Sequence, residues 1–153
     1  MKKSINILNK KARFSYDLLD TYTAGIVLTG TEIKSIRASK ASIAESFCEF
    51  NDSGELFVIN MTVQEYDHGN HFNHRPKAER KLLLNKKELR KLEKEVKTTG
   101  LTIIPTKLFI NEKGFAKLKI ALAKGKKLFD KRETIKDREN KRNLDRIKKN
   151  FKP

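Results

Sequence analysis

The chain is 153 residues long and has one cysteine, no tryptophan, three prolines and seven glycines. A single thiol, Cys48, excludes an intramolecular disulfide framework and any multi-cysteine zinc or iron–sulfur site. In a β-rich stretch a lone cysteine reads as a small buried hydrophobe. Long apolar runs are missing too: the longest uncharged stretch, Thr21 to Thr31, is far short of the ~20 apolar residues of a transmembrane helix. The basic start, Met1-Lys-Lys, leads only to a three-residue apolar island before more lysine, which is not the pattern of a secretory signal. There is no glycine-rich phosphate loop, nucleophile elbow or HExxH, and the carboxylates lie scattered among lysines as solvated charge pairs. These absences predict a soluble, cytoplasmic protein with no membrane association, no cofactor and no enzymatic activity.

What the chain does have is positive charge: 35 Lys+Arg against 19 Asp+Glu, a formal net charge of +16. The charge is segregated. Residues 1–13 carry +5, residues 75–97 carry +6 and residues 124–153 carry +8, which leaves the rest of the body slightly negative. Basic segments around a nearly neutral core suit a folded domain that touches separate phosphate tracks. The expected organisation is a basic N-terminal arm (1–13), an RNA-binding barrel (14–123) and a basic tail (124–153).

Phe14–Leu28 reads as a strand rich in β-formers, with Gly25 marking a bulge. A short helix from Thr31 to Ala38 follows, with Thr31 as its expected N-cap. Ser46–Phe50 and Glu55–Val63 form a hairpin across Asn51-Asp-Ser-Gly54. Residues 67–76 are a polar loop, and Lys81–Leu84 is a further strand. Asn85 and Glu88 have capping-box spacing for a helix ending at Gly100. A second hairpin pairs Leu101–Ile110 with Phe115–Ala123. In its second strand Ala116, Leu118, Ile120 and Leu122 alternate with Lys117 and Lys119, so one face is buried and the other wet and basic. Pro105 cannot donate to a ladder and sits at an edge or bulge. About six short antiparallel strands with two or three flanking helices predict a mainly β fold: a six-stranded OB-type barrel. The tail has too few apolar residues to order itself and is expected to be disordered when free. Leu144, Ile147 and Phe151 nevertheless share one helical face, and no Gly or Pro interrupts Asp130 to Phe151, so contact with an anionic partner would fold it.

His68, His71 and His74 recur every third residue within the loop. With no acidic or thiol partner at a recognisable spacing, they read as structural or RNA-contacting residues rather than metal ligands. Glu32 admits two readings. It is either a carboxylate that accepts from base N–H or ribose hydroxyl groups, or a first-turn carboxylate favoured by the helix dipole. Aromatics such as Tyr16, Tyr22, Tyr66 and Phe72 are possible stacking partners, or half-buried barrel residues.

Six blocks carry a resemblance. The first three are Asn9-Lys-Lys-Ala12, the run Thr23 to Ala38 containing Gly30-Thr-Glu32, and Gly69-Asn-His-Phe-Asn-His74. The others are Arg80-Lys-Leu-Leu-Leu84, Leu101-Thr-Ile-Ile-Pro105, and Ala121 to Arg132 with Gly125-Lys-Lys127 and Asp130-Lys-Arg132. In this order the chain resembles the small protein B family, the bacterial transfer-messenger RNA-binding proteins. The resemblance implies binding to the tRNA-like domain of that RNA and its delivery, with elongation factor Tu, to stalled ribosomes. The protein would act as a monomer and without catalysis. By position it assigns Asn9, Lys10, Lys11, Arg13, Glu32, Lys34, Arg37, Asn70, Asn73, His74, Arg80 and Lys81 to RNA. Lys124, Gly125, Lys126, Lys127, Asp130, Lys131, Arg132 and Ile147 belong to a tail that takes the place of a codon–anticodon duplex in the decoding centre and becomes helical in the empty message channel. Two departures stand out: Arg75 where the family usually has Asp, and Lys10 where it has Arg, which keeps the charge but loses a bidentate fork. The rival readings are a generic ribosomal or RNA-chaperone barrel and, less in keeping with the carboxylates present, a metal-dependent nuclease.

Overall fold

The computed structural model describes residues 5–68 and 73–125. Among them are β1 (Asn6–Leu8), α1 (Lys10–Ser15), β2 (Tyr16–Ile26), α2 (Gly30–Arg37), β3 (Ala41–Ser42) and β4 (Phe47–Phe50). β5 (Leu56–Ile59), β6 (Thr62–Val63), β7 (Arg80–Leu83), α3 (Lys86–Thr99), β8 (Thr102–Ile110) and β9 (Ala116–Gly125) follow. All pairings are antiparallel. The order β8-β4-β5-β7-β2-β9 closes on itself because β9 also pairs with β8. The result is the expected mainly β, OB-type ring of six strands. β1 is added outside the ring, on the half of β8 that β4 leaves unpaired, and β3–β6 form a separate ribbon.

Alternation fills the interior. Leu56, Val58, Leu82, Leu108, Leu118 and Ile120 point inward, and α3 adds Leu92, with Leu89 and Val96 packed against the same core. α3 starts at Asn85, whose side chain accepts from the Glu88 N–H at 2.9 Å, and stops at Gly100 in the left-handed conformation (φ 67°), as its end signals predict. Cys48 is buried in this core, and burial pushes its thiol strongly up, so it is a hydrophobe rather than a nucleophile. Among the described residues no helix is long and apolar enough to cross a membrane.

Local details differ from the sequence expectation. Residues 14 and 15 are helical rather than strand, because Asn9 caps a helical turn over Lys10–Ser15 whose Ala12 packs beneath it. The basic segment before the barrel is therefore partly folded onto it: Asn6–Leu8 pair with Lys107–Phe109. The bulge in β2 lies between Leu18 and Thr21, not at Gly25. At Gly25 a Cβ would sit 3.4 Å from the Leu83 Cβ, so this glycine permits close strand approach. Asn60, at φ 63°, breaks the predicted Glu55–Val63 strand into β5 and β6. Pro105 does adjoin a bulge, between Pro105 and Lys107 of the β8–β9 ladder.

Candidate nucleic-acid interface

α2 begins at Thr29, not Thr31. The Thr29 hydroxyl accepts from the Glu32 N–H, and the Glu32 carboxylate accepts from the Thr29 N–H at 2.9 Å, a reciprocal capping box. The rest of that carboxylate faces inward. Glu32 is 4% exposed and accepts from Nε of Arg80, which is 3% exposed. The Arg80 guanidinium also donates to the carbonyls of Met61 (2.9 Å), Ala78 (2.9 Å), Arg75 (3.2 Å) and Pro76 (3.1 Å). A single buried ion pair thus fastens the N-terminus of α2 to the loop entering β7. Burial pushes the Glu32 carboxyl up, but the Thr29 N–H and the Arg80 guanidinium outweigh it, and the net position is below the usual carboxylate range.

Thr31, freed from capping, hydrogen-bonds His74 Nδ1 at 2.9 Å. His74 Nε2 faces the carbonyls of Val63 (3.0 Å) and Gln64 (2.9 Å), which places the ring hydrogen there. His74 is a buried strut, with both nitrogens engaged inside the protein. Asn73 closes the same loop: its amide donates to the Tyr66 carbonyl at 2.7 Å and accepts from the Tyr66 N–H at 3.0 Å. The fastened loop holds the Tyr66 ring 5.3 Å below the Lys34 ammonium, with His68 edge-on at 5.5 Å. Lys34 and Arg37 on α2, and Arg75 and Lys77 in the segment before β7, are exposed.

The residues assigned by resemblance therefore fall into two kinds. Glu32, Asn73, His74 and Arg80 are partly or fully buried fasteners, and Lys34 and Arg37 are exposed cations on one helix. A second group sits on α1. Asn9 is buried: its amide donates to the carbonyls of Ile43 (3.1 Å) and Pro105 (2.8 Å), and its oxygen caps Ala12. Lys10, Lys11 and Arg13 are exposed, with Lys11 2.5 Å from Glu45. Lys81 is half-buried and pairs with Glu55 at 2.5 Å. Lys124 and Gly125 are exposed at the end of β9. Asn70, Lys126, Lys127, Asp130, Lys131, Arg132 and Ile147 lie outside the described residues, as does His71. Sequence reasoning missed Thr31 as the partner of His74 and Tyr66 as the partner of Asn73. Neither lies in a periodic run, so only the folded loop pairs them. Among the described residues no cluster of three His, Cys, Asp or Glu side chains could hold a metal ion.

Comparison with known proteins gives a consistent result. The model of a family described as SmpB protein matches residues 6–150. An SsrA-binding protein from Christiangramia forsetii is 70% identical over 152 residues, covering 99% of this chain and 96% of its own. One from Flavobacterium psychrophilum is 69% identical over 151 residues, covering 99% and 100%. A solved chain described under "tmRNA-SmpB: a journey to the center of the bacterial ribosome" superposes with a TM-score of 0.67 at 46% identity, covering 81% of this chain and 86% of that one.

Proposed function

The chain belongs to the SmpB protein family, and on that premise we propose that it binds the tRNA-like domain of transfer-messenger RNA and brings it to stalled ribosomes in trans-translation. The observation that carries this reading is the α2–loop surface. Its buried Glu32–Arg80 and Thr31–His74 links leave exposed cations and a half-buried tyrosine in fixed relative positions. RNA recognised by shape needs such a rigid set of phosphate contacts with an aromatic face beside them.

In this reading Lys34, Arg37, Asn70 and Lys81, and on α1 Lys10, Lys11 and Arg13, touch RNA. Glu32, Asn73, His74, Arg80 and Asn9 act by positioning. Arg75 supplies a guanidinium where the family usually has a carboxylate, so any acidic contact there is replaced by a phosphate contact. The barrel (14–123) and the arm before it hold the RNA. The tail (124–153), from Lys124-Gly125-Lys126-Lys127 through Asp130-Lys131-Arg132 to Ile147, enters the decoding centre and the message channel. Delivery as a cytoplasmic monomer together with elongation factor Tu, without catalysis, completes the proposal.

Gel-shift titration at fixed salt tests it, with a transcript of the tRNA-like domain against a hairpin RNA of equal length. The expected result is at least tenfold tighter binding to the tRNA-like domain. Equal affinity for both would replace the proposal with a generic RNA-chaperone barrel.

A further inference from the structure

The outer face of the sheet made by β1, β8, β9 and β2 carries cations that the α2–loop surface does not use. The registers order this face into rows. One runs Asn6, Phe109, Lys117, Gly25 and Leu83 across five strands. The next runs Leu8, Lys107, Lys119 and Thr23. Leu108, Leu118 and Ile120 point into the core between them, so these rows face solvent. Neither row contains a carboxylate, and none of the three lysines has an ion-pair partner among the described residues.

Lys107 and Lys119 stand directly opposite each other, an arrangement that is destabilising unless an anion lies across it. Lys107 Nζ lies 5.2 Å from the Phe109 ring centroid. Gly25 has no side chain, and Lys117 Nζ approaches to 3.7 Å of where a Cβ would be. With Thr23 beside it, β2 forms a shallow floor flanked by ammonium groups. Lys117 and Lys119 are i, i+2 neighbours, about 6.8 Å apart along the strand.

This face is continuous with α2. The Arg37 guanidinium reaches the Gly114 carbonyl at 3.5 Å, so the end of α2 touches the β8–β9 turn from which the rows begin. Glu112 and Lys113 in that turn cancel, leaving Arg37, Lys117, Lys119 and Lys107 as one positive track.

We infer that the outer face of β8 and β9 is a second phosphate-backbone site, held by Lys107, Lys117 and Lys119 beside Phe109, which continues the α2 interface along the same folded RNA. The inference rests on the RNA-binding reading above. The occupant is the same RNA molecule because Arg37 of α2 lies against the β8–β9 turn at the head of the lysine rows.

The test compares three full-length proteins binding the tRNA-like-domain transcript between 50 and 300 mM salt: wild type, K107Q/K117Q/K119Q, and a control with equal charge loss on α3, K86Q/K87Q/K94Q. Each lost phosphate contact lowers the log–log salt slope by about 0.7 to 0.9, so the sheet variant should lose about 2 to 3 units of slope. It should also bind roughly tenfold or more weakly at moderate salt, while the control stays near wild type. A sheet variant indistinguishable from wild type, or from the control, overturns the inference. Lysine acylation footprinting of the wild type needs no variant: Lys107, Lys117 and Lys119 should be protected on adding RNA and Lys86 and Lys87 should not. Equal reactivity with and without RNA overturns it as well. Failure of the broader reading looks different, because the wild type itself would then not prefer the tRNA-like domain over a hairpin.

Discussion

Glu32 performs two structural tasks with one carboxylate: it closes the capping box of α2 and pairs with a buried guanidinium. Removing one member of a buried pair leaves the other charged and unpaired, which costs about 3–5 kcal/mol. Against a total stability of only about 5–15 kcal/mol this is severe. Arg80→Ala and Glu32→Ala should therefore each lower the urea midpoint strongly, and the double variant should lose less than the sum. Additive losses would show that the pair is not coupled. Weak RNA binding by Glu32→Ala alone would consequently not identify a contact residue. Lys34→Ala provides the contrast, with melting within about 0.5 kcal/mol of wild type and reduced RNA affinity. Unchanged affinity would remove Lys34 from the interface.

The same carboxylate predicts a pH dependence. Its folded value lies below its ordinary 4.5, so the unfolded chain takes up this proton first as pH falls. Its stabilising contribution is complete above 4.5 and is lost as pH drops through the folded value. Urea melts of wild type and Glu32→Gln should differ by a constant amount near neutrality and converge in acid. A gap that stays constant down to pH 3 would mean that the group is not held ionised in the fold.

At the scale of elements, caps decide where helices begin. Thr29 takes the role that the spacing had offered to Thr31, because the Glu32 side chain can return only to the N–H three residues before it. Thr31 is then available to His74, which ties α2 to the loop after β6. Thr29→Ala should cost about 1 kcal/mol, read as a lower melting temperature and faster amide exchange in the first turn of α2. No change in exchange there would mean that the Glu32–Arg80 and Thr31–His74 contacts and the packing of Ile36 hold the first turn without the cap. α1 follows the same logic with Asn9, whose amide also grips the carbonyls of Ile43 and Pro105. A capped, docked helix replaces the strand that Phe14 favours by propensity.

For the whole molecule, the distribution of charge matters more than the total. A closed barrel leaves β1 as an added strand and places the end of α2 against the turn of the β8–β9 hairpin. The proposed division of labour predicts that truncation after Lys127 keeps affinity for the tRNA-like domain nearly intact. Peptide tagging on stalled ribosomes should be abolished. Tagging by the truncated protein would show that the tail is not what the decoding centre reads.

The amino-acid sequence by itself determined the mainly β class, the position of α3 between Asn85 and Gly100, both hairpins and the alternation that exposes Lys117 and Lys119. These follow from signals within a few residues: caps, turn residues and a period of two. The tertiary structure decided which polar residues are fasteners and which are contacts. Glu32 and Lys34 are near neighbours in one motif, yet one faces Arg80 in the interior and the other faces water over Tyr66. Ring closure through the β2–β9 and β4–β8 pairings, the seating of β1 on β8 and the Arg37 bridge to Gly114 join residues tens of positions apart. No local signal encodes such contacts, because they exist only once the barrel has closed and the buried groups have found their partners.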